Sequence, residues 1–313
     1  MRRKVALVGI GKIAIDQHVP AITGSRYWEL AATVSRNGSI EGVEHFKDIH
    51  EMLSARPDIE CVSLCLPPVP RFDHAVAALR AGRHVMLEKP PGATLSECRI
   101  LESKAREAGV SIYATWHSRE AAGVDAAKAW LNGRKLRKLT ITWKEDVRKW
   151  HPGQKWIWEA GGLGVFDPGI NALSILTKIL PNPVHVLNAE LFFPENCETP
   201  IAAEMRFHHP DAAEVAAHFD FRQEGEQIWI IDVETDGGSL KLTEGGANLF
   251  IDGEPANDAE NSSNPLKGEY PRLYANMATL IGKGESDMDL APMELVADAF
   301  LIGRRSSVKP FHE

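Results

Sequence analysis

Over the first third of the chain, short and nearly unbroken apolar runs alternate with stretches of helical period. Residues 4–10 run through Val5-Ala6-Leu7-Val8 into glycine, the pattern of a strand buried on both faces of a parallel sheet. A helical segment follows, then apolar runs at 30–35, 61–66, 84–87 and 111–116. Pro67-Pro68 stops the third run and Pro90-Pro91-Gly92 the fourth. Helical periodicity over 72–81 ends at Gly82. A second helix, capped by Thr94 or Ser96, runs to Ala108 with Gly109 as its stop. Five strands interleaved with helices over about 117 residues predict a doubly wound α/β sheet.

The rhythm then changes. After one helix near 123–131, alternating polarity marks strands at 139–143, 186–193, 203–207, 215–221, 228–235 and 239–242, with Asp236-Gly237-Gly238 as a hairpin turn. Residues 253–268 are rich in Asn, Ser, Pro and acids and read as a mobile surface loop. Helices over 270–281 and 293–304 close the chain. The expectation is two domains: 1–120, a Rossmann sheet, and 121–313, an α+β domain with a large, mostly antiparallel open sheet. The exposed face of that sheet makes homo-oligomers through the C-terminal domain an expected outcome.

Composition narrows the class. The 313 residues are 44% hydrophobic and 25% charged, with acids and bases interspersed to a net charge of −8. That balance argues against nucleic acid or an anionic membrane surface as partner. The first apolar run is too short for a signal peptide or a membrane span. Four cysteines do not form a disulfide framework, and no His/Cys/carboxylate spacing calls for a metal. A cytoplasmic protein is expected.

Gly9-Ile10-Gly11-Lys12-Ile13-Ala14 fits G-x-G-x-x-(G/A) directly after a buried strand. Gly9 would permit the tight turn, Gly11 the approach of a pyrophosphate, and Ala14 close helix–strand packing. Gly9, Gly11, Lys12 and Ile13 are therefore candidate cofactor contacts, the helix N-terminus supplying amides for the phosphates. At the end of the second strand an acid would select NAD through its ribose hydroxyls. The chain has Ser35-Arg36 there, groups suited to a 2′-phosphate, so NADP is favoured and NAD remains open. An exposed loop arginine is the plainer alternative. Leu66-Pro67-Pro68 and Glu88-Lys89 end the third and fourth strands at the same carboxyl edge, where cofactor sits in such folds.

These motifs in order resemble the glucose–fructose oxidoreductase/inositol dehydrogenase/MocA family. Within it, the segments at 9–18, 84–94, 114–119, 143–147, 150–154, 164–173 and 296–301 look like bacterial L-arabinose/D-galactose 1-dehydrogenases. The blocks Trp150-His151-Pro152-Gly153-Gln154 and Phe166-Asp167-Pro168-Gly169-Ile170-Asn171 are the distinctive ones. The resemblance implies oxidation of an aldopyranose at C1 to its lactone, hydride passing to NAD(P)+. It implies that Lys89, Asp167 and Asn171 form the reaction centre. His117, Glu145, Trp150 and Trp229 would surround the sugar; His151, in the same Trp-rich stretch, is a further candidate sugar contact, and His117 and Lys89 are also candidates for the cofactor. Many members carry a histidine in the Asp167 helix where this chain has Asn171, so a base from that position is excluded.

The residues carry their own argument. Oxidising an anomeric carbon requires an acceptor for the hydroxyl proton. Asp167, just before Pro168, reads either as a helix N-cap or as that acceptor. Asn171 lies one turn on, on the same face. Lys89 can donate to a sugar oxygen or, near a cationic nicotinamide, become the base itself. A coupled Lys89–Asp167 pair is favoured, with the choice of acceptor open. Trp143, Trp150, Trp156 and Trp158 fall within sixteen residues, and indoles pack on the apolar faces of pyranoses. About half of them are expected in the core; Trp150 and Trp156, beside a Pro-Gly turn, are the better sugar candidates. The alternatives are the same fold acting on another sugar or polyol, and a dinucleotide-binding sugar sensor without turnover.

Overall fold

The computed structural model describes residues 2–257 and 268–312. They group into two units, Met1–His117 with Gly268–Leu290, and Ser118–Lys267 with Ala291–Glu313. The division therefore differs from a single cut at 120: residues 268–290 join the N-terminal unit. The physical reason lies in the helix Glu269–Lys283, whose Tyr270, Leu273, Tyr274 and Met277 are buried. The carbonyl of Tyr274 accepts from Trp28 Nε1 at 2.7 Å and its hydroxyl lies 2.8 Å from His18 Nδ1, which ties the helix to the first unit.

The first unit holds β1 (Arg3–Val8), α1 (Val19–Thr23), β2 (Trp28–Val34), β3 (Glu44–Phe46), α2 (Ile49–Ala55), β4 (Cys61–Leu64), α3 (Pro68–Arg80), β5 (His84–Glu88), α4 (Leu95–Ala108) and β6 (Ile112–Thr115). The sheet order is β3-β2-β1-β4-β5-β6 with every neighbour parallel, the doubly wound arrangement expected. The β3–α2 pair is additional to the sequence reading; Asp48 caps α2 by accepting from the amides of His50 and Glu51. Thr94 caps α4 through the Glu97 amide, and Gly109 ends it at φ +67°. α3 begins at Pro68, four residues earlier than its periodicity suggests, because proline suits a first helical turn. The direction of winding reverses between β1 and β4, and ligands bind such sheets outside the carboxyl ends at that reversal.

The second unit contains α5 (Val124–Leu131), β7 (Leu136–Lys144), α6 (Val147–Trp150), α7 (Phe166–Ile179), β8 (His185–Pro194), β9 (Ala202–His208), β10 (Glu214–Asp220), β11 (Ile228–Thr235), β12 (Gly238–Thr243), β13 (Asn248–Ile251) and β14 (Glu254–Pro255). After α8, the Glu269–Lys283 helix of the first unit, come α9 (Ala291–Ile302) and β15 (Arg304–Val308). The nine strands run β14-β13-β12-β11-β7-β10-β9-β8-β15, antiparallel except for β7/β10 and β8/β15. This is the mixed, mostly antiparallel sheet expected. On β7, Leu139, Ile141 and Trp143 are buried between more exposed neighbours. Phe166 of α7 packs edge-on against Phe219 of β10 and Phe300 of α9, at 5.7 and 5.6 Å between ring centres. Thr235 pairs with Gly238 across the predicted Asp236-Gly237 turn. Of the loop expected over 253–268, residues 254–255 form β14, and 258–267 lie outside the described residues. The last helix stops at Ile302, since Arg304 begins a strand beside β8. No described helix is long and apolar enough to cross a membrane.

Candidate functional site

In the first unit the glycine turn is shaped as its sequence predicts. Gly9 has φ +89°, and a Cβ there would stand 2.9 Å from Leu66 Cδ2 and 3.0 Å from the Leu66 amide nitrogen. Only glycine fits. A Cβ on Gly11 would meet nothing within 4 Å, so its backbone is open on the outer side. Ala14 is fully buried, and Ile13 half-buried. Gly38 closes the turn from the β2 side, its would-be Cβ 2.8 Å from the Ile10 carbonyl. This cradle fits a dinucleotide: a tight turn whose exposed residues Gly11 and Lys12 lead straight into helical turns that begin at Lys12. Lys12 is exposed and paired with Asp16 one turn away rather than held over the turn. Ser35 Oγ accepts from the amides of Asn37 and Gly38 at 3.3 and 3.2 Å, which leaves its proton to donate. Arg36 is exposed beside it.

Leu66, Pro67 and Pro68 form the β4–α3 turn, and a residue the sequence reading missed organises it. Arg71, 2% exposed, donates to the carbonyls of Leu66, Glu88 and Pro90. One buried guanidinium thereby ties the end of β4 to the end of β5. Its sole signal in sequence is its place in the first turn of a helix starting at two prolines.

At the end of β5, Glu88 is 5% exposed, and the following Lys89 is half-buried, joined to Pro90 by a cis peptide. Glu88 accepts from the Lys89 amide at 2.9 Å and from Tyr270 Oη at 2.8 Å, and Oε1 lies 3.0 Å from His18 Nε2. Burial pushes the Glu88 carboxyl up, but the His18 hydrogen bond, the charges of His18 and His117 and the Tyr270 hydroxyl together bring it down to about 2. Burial opposes charge on His18 as well; Cys65, Tyr274 and Glu88 nevertheless hold it well above the usual histidine range. Burial and Glu88 raise Tyr270, and Tyr274 is pushed up to about 12, chiefly by burial. His117 Nδ1 is 2.6 Å from Glu269 Oε2, and its ring stacks on Tyr270. Glu88, Lys89 and His117 thus join one buried polar cluster. His18, Tyr270, Tyr274 and Glu269 complete it, a set the sequence reading did not assign.

The second unit brings together Glu145, Trp150, His151, Asp167 and Trp229. Beyond the end of β7, the Glu145 main chain bonds Asp220 O (2.9 Å) and the Gln223 amide (3.2 Å), which fixes its side chain. Glu145 Oε2 accepts from Trp229 Nε1 at 3.0 Å, and Oε1 lies 3.1 Å from His151 Nε2. The opposite ring nitrogen of His151, Nδ1, faces Asp167 Oδ2 at 3.6 Å. Trp150 packs edge-on against Trp229 at 5.2 Å and donates to Gln227 Oε1, a partner not foreseen. Asp146 caps the short α6 that carries Trp150 to the network.

The reading of Asp167 as an N-cap is corrected: Val165 precedes the first helical residue of α7, and Asp167 is the second residue within it. The chain turns into α7 at Gly164, φ +54°, where a Cβ would stand 2.3 Å from the Pro200 carbonyl. Asp167 is 3% exposed, and Asn171, half-buried, follows one turn on. Trp143 is core, 5% exposed, Trp156 is half-buried, and Trp158 packs edge-on against Phe221, the ring that also faces His151.

Fold and cradle define a dinucleotide-binding oxidoreductase. The model of an oxidoreductase family with an NAD-binding Rossmann fold matches residues 3–115. Galactose 1-dehydrogenase of Pseudomonas fluorescens is 43% identical over 311 residues, 99% of each chain. The chain belongs to the glucose–fructose oxidoreductase/inositol dehydrogenase/MocA family. The crystal structure of D-galactose-1-dehydrogenase from Rhizobium etli superposes with a TM-score of 0.94 at 51% identity, covering 99% of this chain and 98% of that one. The 3-ketoreductase KijD10 of Actinomadura kijaniata, solved with NADP, shares the fold at TM-score 0.83 and 18% identity.

Proposed function

We propose that this protein oxidises the pyranoses of D-galactose and L-arabinose at C1 to their aldonolactones, with NADP+ preferred to NAD+ as hydride acceptor. The observation that carries the reading is the Glu145–His151–Asp167 network with its flanking Trp150 and Trp229. Carboxylates and an imidazole suit sugar hydroxyls, and indole faces suit the C–H face of a pyranose. Likeness to two galactose 1-dehydrogenases over nearly the whole chain supports the same substrate class. L-arabinose and D-galactose share their ring configurations at C2, C3 and C4, so one set of contacts serves both.

In this reading residues 1–120 bind the dinucleotide and 121–313 chiefly the sugar. The nicotinamide, when bound, supplies the hydride-accepting carbon. Gly9, Gly11, Lys12 and Ile13 hold the pyrophosphate, Ser35 and Arg36 the 2′-phosphate, and Leu66, Pro67, Pro68 and Glu88 line the cofactor edge. Lys89 donates to a sugar oxygen. Asp167 accepts the anomeric hydroxyl proton, an assignment favoured over Lys89 because a second proton-carrying group adjoins Asp167. Asn171 orients the same hydroxyl, and His117, Glu145, Trp150, His151 and Trp229 fix the ring. Self-association through the open face of the nine-stranded sheet and a cytoplasmic location belong to the same proposal.

Steady-state reduction of NADP+ and NAD+, followed by absorbance over a panel of aldoses and polyols, tests it. Turnover with D-galactose and L-arabinose well above D-glucose is expected. Tight NADPH binding with no aldose turned over would contradict the proposal.

A further inference from the structure

His151 sits between two buried carboxylates with a different ring nitrogen turned to each. Nε2 lies 3.1 Å from Glu145 Oε1, while Nδ1 faces Asp167 Oδ2 at 3.6 Å. Glu145 and Asp167 are 5% and 3% exposed, whereas the His151 side chain keeps 16% of its surface in solvent. Its ring is further fixed against Phe221, 5.6 Å between centres. A neutral imidazole has one N–H and one lone pair. A carboxylate at hydrogen-bond distance takes the N–H; the second nitrogen then presents its lone pair to the other carboxylate. Glu145 is the closer of the two, and its other oxygen already accepts from Trp229, which holds it in place.

We propose that His151 carries the reaction proton from Asp167 to solvent, with Glu145 setting the tautomer that allows it. The inference rests on the proposed oxidation of an aldose. In that reaction the C1–H bond breaks with its electron pair leaving to the oxidised nicotinamide dinucleotide, and the carbonyl of the lactone forms at C1. The proton of the anomeric hydroxyl passes to Asp167. It moves from there to the Nδ1 lone pair of His151, giving an imidazolium that donates to both carboxylates. The partly exposed ring then releases it to water, restoring the ionised Asp167 for the next turnover. A separation of 3.6 Å is longer than a hydrogen bond, and such catalytic pairs commonly tighten only with substrate in place. Besides its contact with the sugar ring, His151 acts on the reacting hydroxyl through Asp167 and is in this sense a relay residue.

The test begins on the unaltered protein, by long-range 1H–15N NMR of its histidine rings, with the His151 signals assigned from His151→Gln. The proton is expected on Nε2 with Nδ1 bare; a proton found on Nδ1 in the sugar-free protein overturns the proposal. His151→Gln is expected to lower kcat by roughly 100-fold or more, the scale of general acid–base catalysis, and to do so by a much larger factor than it raises KM for the sugar. Free imidazole should restore part of kcat to His151→Ala. A raised KM with kcat intact, or no rescue, would reduce His151 to a sugar contact and overturn the relay. Absence of aldose turnover in the unaltered protein overturns the proposed function itself, and the relay with it, before any variant is made.

Discussion

His18 Nε2 lies 3.0 Å from Glu88 Oε1, and the two side chains are 1% and 5% exposed, an ion pair sealed inside the Rossmann unit. Its stability has a defined pH window. Glu88 titrates below its ordinary value of 4.5, so its contribution is present above that pH and is lost as the pH falls towards about 2. His18 titrates well above 6.5, so its contribution is complete below 6.5 and is lost as the pH rises through the raised value. The two overlap fully between 4.5 and 6.5. Glu88→Gln leaves the histidine charge buried without its partner, at a cost on the order of 3 kcal/mol. Thermal melts across pH should show the loss largest inside that window; an equal loss at every pH would refute the pairing.

Arg71 gives a second expectation. Arg71→Met removes the donor shared by the carbonyls of Leu66, Glu88 and Pro90. Unfolding by denaturant should register a loss of roughly 3 kcal/mol from the orphaned groups. NADPH affinity, read by fluorescence titration, should fall with it, because the two turns at the cofactor edge lose their tie. Unchanged melts and affinity would mean the guanidinium is idle.

Asp167 separates chemistry from architecture. Since it lies inside α7 and does not cap it, Asp167→Asn should keep its melting temperature while kcat drops by roughly 100- to 10,000-fold. Lys89→Ala should likewise lose kcat and retain NADPH binding. Instability of Asp167→Asn without a selective loss of kcat would return the residue to a structural role.

Arg36 tests cofactor choice. A charge-assisted contact to the 2′-phosphate is worth about 1.5–3 kcal/mol, so Arg36→Ala should raise KM for NADP+ by roughly 10- to 100-fold and leave NAD+ nearly untouched. Equal losses with both cofactors would show that Arg36 does not read the phosphate.

The parallel sheet was legible because five of its strands carry apolar runs, three of them closed by glycine or proline. β3, only Glu44-His45-Phe46, is too short and polar to carry such a pattern, and β15, Arg304-Arg305-Ser306-Ser307-Val308, has no apolar alternation. Both are edge strands, paired on one side only, and Phe46 alone of their residues is buried, too little to write a strand into sequence. The glycine turn and Glu88-Lys89 are local motifs and could be placed directly. The polar cluster around Glu88 could not: His18 and Tyr274 are 256 positions apart, and nothing local states that α8 returns to the first unit. Asp167 was found and its helix position misjudged, because Asp-Pro reads as a cap when Gly164-Val165-Phe166 already completes the turn.

The measurement that bears most directly on the account is the fate of deuterium placed at C1 of D-galactose. Oxidation at C1 predicts slower turnover of the labelled sugar, recovery of deuterium in the reduced nicotinamide, and an aldonolactone free of label. Deuterium retained in the sugar product, with reduced cofactor still formed, would place the oxidation at another carbon and contradict the assignment of the site.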